Sequence, residues 1–291
     1  MANVIALFKT YIDLLDEVYK QSSKTKDLDI NGALVQAGAN ANEIVVPKLS
    51  MDGLGEYSRN GGYTDGDVKL SNETVQFNYD RGRRFAVDAM DNAESAGVAF
   101  GQLSAEFIRT QVVPEMDAMR FAKYASTEGI SKVAAGANLT TGEEVLAALV
   151  AAKNKMDEDE VPEENRILYI TPTCYNLVYA VDTTKSKEVL NSFSKIIKVP
   201  QSRFYTAINL LDGKSEGEEK GGYEKAEGAK DINFMIIHIK APLQYPKHTV
   251  NKVVPPEDNQ TSDGYLFFYR AYGLADVYEN KVAGIYLHHK A

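Results

Sequence analysis

The side chains with the most chemical potential in this 291-residue chain are one cysteine, four histidines and three arginines crowded into four positions. Cys174 stands in Thr171-Pro-Thr-Cys-Tyr-Asn176, where a strand end enters a helix, and no histidine neighbours it in sequence. A small buried thiol, and not a nucleophile, is expected there. His238, His248, His288 and His289 show no metal-binding spacing with Cys174 or with one another, and nothing in their placement assembles a Ser-His-Asp triad. His288-His289 reads as a solvated strand end.

Two glycine motifs fail on inspection. Gly213-Lys-Ser215 resembles the end of a phosphate loop, but the first glycine would fall at Ile208, and the surroundings are a charged loop instead of a strand-to-helix turn. Gly53-Leu-Gly55 has Ser58 where a dinucleotide fingerprint needs its third glycine. The run Asp157-Glu-Asp-Glu-Val-Pro-Glu-Glu164 lacks the alternating ligands and central glycine of a calcium loop and reads as a solvated acidic turn. No catalytic, cofactor-binding or metal-binding residue is assigned.

Arg81, Arg83 and Arg84 form the one dense basic cluster, alternating with aromatics in Tyr79-Asp-Arg-Gly-Arg-Arg-Phe85. Such a cluster could touch phosphate, but an exposed strand face that pairs with a neighbour's carboxylates is the expected role. The net charge of -9 argues against a protein that holds nucleic acid by phosphate neutralisation. A hydrophobic fraction of 44% with 25% charged residues is that of a folded protein, and no apolar run approaches a membrane span. The lone cysteine excludes an intrachain disulfide and fits a reducing cytoplasm. Val4, Phe8, Tyr11, Leu15 and Val18 give the N-terminus the pattern of an amphipathic helix, not of a secretory signal.

The elements around these residues are more telling. Glu43-Ile-Val-Val-Pro-Lys-Leu-Ser-Met51 and Val68-Lys-Leu-Ser-Asn-Glu-Thr-Val-Gln-Phe-Asn-Tyr79 read as strands, short, rich in β-branched residues and bounded by turn formers. Between them, residues 52–67 hold five glycines and little that builds a core. A lone two-stranded hairpin is marginal in water, so this arm needs another surface, expected to be another subunit. Residues 91–125 carry a helical stripe, Ala96, Phe100, Leu103, Phe107, Thr110, Pro114, Ala118, Phe121 and Ala125, with Ile108, Val112, Met116 and Met119 in a second, adjacent stripe. Such a helix would extend roughly 50 Å. Pro114 predicts a kink or a break.

A new unit begins near Glu128. Thr141-Gly-Glu-Glu144 has capping-box spacing ahead of an apolar face of Val145, Leu146, Leu149, Val150 and Met156. Arg166-Ile-Leu-Tyr-Ile-Thr171 and Asn233-Phe-Met-Ile-Ile-His-Ile239 read as buried strands, with a helix over 173–181. A compact α/β or α+β unit over 128–240 follows. Residues 212–230, rich in Gly, Lys and Glu, predict a mobile surface loop. Aromatic strands over 264–272, 275–278 and 282–289 predict an antiparallel sheet folded back on the long helix.

In this order of arm, helix, inserted unit and returning sheet, the chain resembles the major capsid proteins of tailed bacteriophages, whose fold also occurs in encapsulin shells. The likeness rests on the hairpin over 43–79, on Arg83-Arg-Phe-Ala-Val-Asp-Ala-Met-Asp-Asn-Ala-Glu-Ser95, on Phe107-Ile-Arg-Thr-Gln-Val-Val-Pro-Glu-Met-Asp-Ala-Met-Arg-Phe-Ala-Lys-Tyr124, and on the ending Val277-Tyr-Glu-Asn-Lys-Val-Ala-Gly-Ile-Tyr286.

The resemblance implies an α+β capsid fold in four parts: an N-terminal helix and arm at 1–42, an extended hairpin loop at 43–80, a peripheral domain with spine helix and β-sheet at 81–127 and 241–291, and an axial domain at 128–240. It implies subunit contacts at Glu56, Tyr57, Arg59, Asp65, Arg81, Arg83 and Arg84, and a hinge at Pro114. Some forty residues precede the arm, so no internal scaffold is expected and a separate scaffolding protein is. The tip at 52–67 contains no lysine, and the lysine crosslinking of some relatives is not carried over to Lys48 or Lys69.

The function implied is a non-enzymatic capsid protein that forms hexamers and pentamers, with a portal, in an icosahedral shell around phage DNA, without sequence-specific binding or a membrane. The shell would be assembled in the bacterial cytoplasm. The alternatives are an encapsulin-like compartment around a protein cargo and a cytosolic α/β enzyme with its catalytic domain at 128–240.

Overall fold

The computed structural model describes residues 23–30, 36–37, 42–90 and 98–291. The amphipathic helix expected over 4–18 and the first turns of the long helix at 91–97 lie outside the described residues. A short strand, Gln36–Ala37 (β1), borders Glu43–Met51 (β2), which pairs antiparallel with Val68–Gln76 (β3) from Glu43 opposite Gln76 to Met51 opposite Val68. Tyr79–Asp88 (β4) follows after two residues. At that junction Asn78 imitates a strand backbone: its amide donates to the Ala275 carbonyl at 2.7 Å and accepts the Ala275 N–H at 3.1 Å.

The helical run is continuous from Val98 to Ser126, as Val98–Phe107 (α1), a π-helical segment Ile108–Val112, and Val113–Ser126 (α2). In a uniform α-helix the carbonyl of Thr110 would face residue 114, where proline has no N–H and its ring crowds that carbonyl. The wider turn resolves this: Val113 N–H reaches back to the Ile108 carbonyl, and Val112 and Val113 keep right-handed helical dihedrals. The irregularity expected from Pro114 is therefore a π turn just before the ring, and not a break into two helices. Both expected apolar stripes are used in the second half, because α2 is enclosed on several sides. Ile108, Val112, Val113 and Met116 pack on Phe267, Tyr269 and Ala271, whereas Phe121, Tyr124 and Ala125 pack on Tyr169, Met235 and Ile285.

After Ser131–Lys132 (β5), helix Gly142–Glu158 (α3) opens on the expected capping box, with Glu144 N–H donating to Thr141 Oγ1 at 3.3 Å and Thr141 N–H to the Glu144 carboxylate at 3.1 Å. Arg166–Ile170 (β6), helices Pro172–Val181 (α4) and Thr184–Asn191 (α5), Lys195–Lys198 (β7), the hairpin Ile208–Leu211 (β8) with Gly222–Lys225 (β9), and Ile232–His238 (β10) complete the inserted unit. Every residue of β6 and β10 is buried, because α3 and α4 cover one face of the sheet and α2 the other. Near-continuous apolar runs, here 167–170 and 234–237, are the sequence signature of a sheet covered on both sides.

Pro242–Val254 (β11) and Gly264–Val277 (β12) return along β4 in a three-stranded antiparallel sheet, order β11-β12-β4. The last strand, Ile285–His289 (β13), leaves it. It pairs with β10 and β5 inside a five-stranded sheet of order β5-β13-β10-β6-β7. The expected grouping of 282–289 with the returning sheet is thus corrected: Ile285 and Leu287 face α2 while Tyr286 faces α3 and α4, an alternation that a two-sided core requires. The loop expected at 212–230 is likewise partly ordered by the β8–β9 hairpin.

Candidate assembly interface

Paired residues of an antiparallel ladder share a face, so the register of β2 and β3 divides the arm into two surfaces. On one, at the base, Ile44 and Val75 are 3% and 8% exposed and pack on Leu243 and Leu274. Further out that same surface turns polar, with Lys48 opposite Ser71 and Ser50 opposite Lys69. The other surface carries Leu49 opposite Leu70 and Met51 opposite Val68, between 52% and 71% exposed. The apolar side switches faces along the arm. The chain's own body covers the base face, so it leaves the outer stripe open. Burying each of these four side chains would stabilise a complex by roughly 1 kcal/mol or more.

The tip is a small folded loop and not a loose one. Ser58 and Gly62 exchange backbone hydrogen bonds at 3.1 and 2.8 Å, the Tyr57 and Tyr63 rings lie 4.9 Å apart, and the Thr64 hydroxyl donates to the Glu56 carbonyl at 2.9 Å. Glu56, Tyr57, Arg59 and Asp65 are all exposed on it. The outer stripe and the Tyr57–Tyr63 pair were legible only once register was known.

The three arginines diverge. Arg81 pairs with Glu115 of α2, Nε to Oε1 at 2.8 Å, and that carboxylate also accepts the Tyr79 hydroxyl at 3.1 Å. Burial, reinforced by Glu115, pushes the Tyr79 hydroxyl well above its ordinary range. Arg83 Nη2 donates to the Glu219 carbonyl at 3.0 Å. Arg84 lies on the opposite face of β4, across from Phe268 and exposed. The cluster is split between two faces by strand alternation, and Arg81 has its carboxylate within the chain.

The remaining chemistry-bearing residues are structural. Cys174 is buried, its thiol pushed up by burial, with Sγ 4.0 Å from Asn233 Oδ1. His288 is buried, not solvated as expected: Asn233 Nδ2 donates to its Nδ1 at 3.1 Å and its ring stacks 4.9 Å from Phe234. Burial, with the neighbouring His289, holds it down to about 4, which keeps it neutral. Gly213-Lys-Ser215 lies in the β8–β9 loop and Gly53-Leu-Gly55 in the arm tip, neither at a helix start. The acidic run is tied by Arg166, whose Nη1 is 2.7 Å from Asp157 Oδ1. Among the described residues no group of three or more His, Cys, Asp or Glu is placed to hold a metal ion, and no helix is long and apolar enough to cross a membrane.

No protein-family model and no curated protein matches the sequence. The structure, by contrast, is similar to solved shells. It matches the virus-like particle of Pyrococcus furiosus with a TM-score of 0.59 at 13% identity, over 97% of this chain and 99% of that one. It matches the capsid of the cyanophage P-SCSP1u with a TM-score of 0.56 at 14% identity, over 88% and 85%. The capsid of Staphylococcus phage Andhra gives 0.56 at 12% identity, over 90% and 84%. The chain has the fold of capsid shell proteins. That fold is common to the phage capsids and to the virus-like particle, and it is the capsid fold that the sequence resembled.

Proposed function

We propose that this chain is a structural major capsid protein, many copies of which close into an icosahedral shell around a double-stranded DNA phage genome. The observation that carries the reading is the open stripe Leu49, Met51, Val68 and Leu70 on a chain with a capsid fold. An arm whose apolar face its own body leaves uncovered gains stability by lying on a neighbour, and such heterologous contacts build rings or extended assemblies according to the subunit rotation. The partners are further copies in hexamers and pentamers, a portal and a separate scaffolding protein, with assembly in the host cytoplasm and the final location in the virion. The net charge of -9 suits a shell that encloses DNA without gripping its sequence.

In this reading 43–80 is the extended loop, 81–127 with 241–284 the peripheral part, and 128–240 with β13 the axial part. Glu56, Tyr57, Arg59, Asp65 and Arg84 are the polar contacts to neighbours, and Arg81 and Arg83 act from within the subunit. Electron microscopy of the purified protein tests the shell: closed particles are expected, and a persistent monomer or dimer under all assembly conditions overturns it. Long DNA inside particles from an infected host is expected, and a protein cargo instead would mark a compartment. Deletion of residues 53–65 should leave a folded, soluble subunit without shells, and an undiminished yield of shells would remove the arm from the interface.

A further inference from the structure

Arg81 and Arg83 project from one face of β4; Arg83 reaches the loop between β8 and β9, and Arg81 reaches the first residue of β9. Arg83 Nη2 donates to the Glu219 carbonyl at 3.0 Å and Arg81 Nη2 to the Gly222 carbonyl at 3.1 Å. The loop is shaped for this contact. A Cβ on Gly213 would come within 2.7 Å of Arg83 Nη1 and one on Gly221 within 3.2 Å, and both residues have positive φ, +71° and +64°. The guanidinium therefore lies in a notch that two glycines keep open. The base of the same hairpin is tied to the insert, through Tyr223 hydroxyl to Ser202 carbonyl at 2.8 Å and Thr206 N–H to Lys230 carbonyl at 2.9 Å. One loop thus spans from the inserted unit to the strand that leaves the arm, and it roofs a cleft of about 960 Å³ floored by Phe85, Leu103 and Phe107.

We infer that residues 212–222 form a releasable latch between the insert and the root of the arm, with Arg83 as its catch. No residue of 212–222 is buried, so the docked loop has no apolar anchor. Its own turn is internally satisfied: the Asp212 carboxylate accepts from Lys214 N–H, Ser215 N–H and the Ser215 hydroxyl, and Gly221 N–H donates to the Glu218 carbonyl at 2.7 Å. Once undocked, the loop is held by these local bonds alone. Release strands no charge either, since Arg81 stays with Glu115 and Arg83 is exposed in both states. A segment held by few, exposed hydrogen bonds belongs to the low end of the stability range within a fold, where local opening occurs without global unfolding. When the latch opens, the loop loses its direct tie to β4, while the insert stays packed on α2 and on Ala275 and Val277 of β12.

The test is tryptic cleavage of the full chain after Lys214 and Lys220, followed by mass spectrometry. Arg83→Ala should accelerate these cuts about three- to tenfold, because cleavage follows the population of the open loop. The thermal midpoint of the whole chain should move by less than about 2 °C. Arg84→Ala, on the opposite face of the same strand, should leave the rate unchanged. Equal cleavage of Arg83→Ala and the parent chain overturns the catch, as does equal acceleration in Arg84→Ala. Acceleration matched by a comparable fall in the thermal midpoint also overturns it, because unfolding then exposes the loop. Hydrogen exchange of the unsubstituted chain gives a second reading: Gly221 should exchange faster than the amides of β10, and equal protection counts against a latch. These readouts lie within one chain and do not depend on shell formation.

Discussion

The buried carboxylate of Asp117 accepts the Thr25 hydroxyl at 2.8 Å and the Thr25 N–H at 3.3 Å, joining residues 92 apart in sequence. It also takes the Ser23 hydroxyl and the Lys24 N–H at 3.0 Å each. Arg120 Nη1 donates to Thr25 Oγ1 at 2.8 Å, and Gln244 Nε2 to the Thr25 carbonyl at 2.9 Å. The segment before the arm is thereby fixed to α2 by charge-assisted hydrogen bonds, with Leu28 as its buried apolar residue. Bonds to an ionised acceptor are the stronger ones, and their loss leaves several buried donors unmet.

Asp117→Ala should therefore cost roughly 3 kcal/mol of stability. Asp117→Asn should cost less, since it keeps one acceptor oxygen. Urea unfolding of both variants checks this, and a loss below about 1 kcal/mol for the alanine would mean the clamp is not structural.

A second expectation concerns the outer arm. Leu49→Ser with Leu70→Ser replaces a facing pair that touches nothing buried in the chain, so unfolding of the isolated subunit should shift by less than about 0.5 kcal/mol. Particle yield should fall at least tenfold, as read by sedimentation. Normal yield with normal stability would exclude this stripe from the subunit contact.

The arm, the long helix and the buried strands of the insert were legible because each carries a strong local period or a turn signature. The destination of β13 was not. Ile285-Tyr-Leu-His-His289 alternates as well for one sheet as for the other, and strand order is decided by long-range packing that periodicity does not encode. Asp117 and Arg120 were passed over for a related reason: charged residues on a helix read as its solvent face, and here distant segments cover them, residues 23–30 on both and Arg203 on Asp117. The π turn before Pro114 has a signal in the proline but none that specifies its register. The splitting of Arg81, Arg83 and Arg84 was implicit in strand alternation, and the loop that receives Arg83 was hidden in a segment whose composition suggested only mobility.

His288 supplies a pH dependence. Its folded value of about 4 lies below the ordinary histidine value near 6.5, so the unfolded chain binds the proton more readily. Its contribution is fully present above about pH 6.5 and is lost as pH falls toward 4, by up to about 3 kcal/mol. Protonation at Nδ1 would also replace the acceptor of the Asn233 amide with a second donor. Urea midpoints at pH 7 and pH 4.5 should therefore fall further in the parent chain than in His288→Gln. Parallel loss in both would assign the acid sensitivity to other groups.

Pro114 sits where the helical ladder has already been widened, with Val113 N–H bonded to the Ile108 carbonyl and the Thr110 hydroxyl donating to the Glu106 carbonyl at 2.7 Å. A helix that lacks one donor and carries a π turn beside it bends at lower cost than a fully bonded one. The two halves also pack on different sheets, α1 and the π segment on β4 and β12, the end of α2 on the five-stranded sheet. A change in the angle between those sheets would concentrate at Ile108–Val113. We therefore expect the helix to be more bent in a precursor shell and straighter in a mature one, with Pro114→Ala, which restores the donor, favouring the straight form. Cryo-electron microscopy of both particle forms measures the helix axis on either side of the π turn. An identical axis in the two forms would rule out the hinge and leave the shell assignment standing, whereas a changed axis that Pro114→Ala abolishes would locate the bend at this residue.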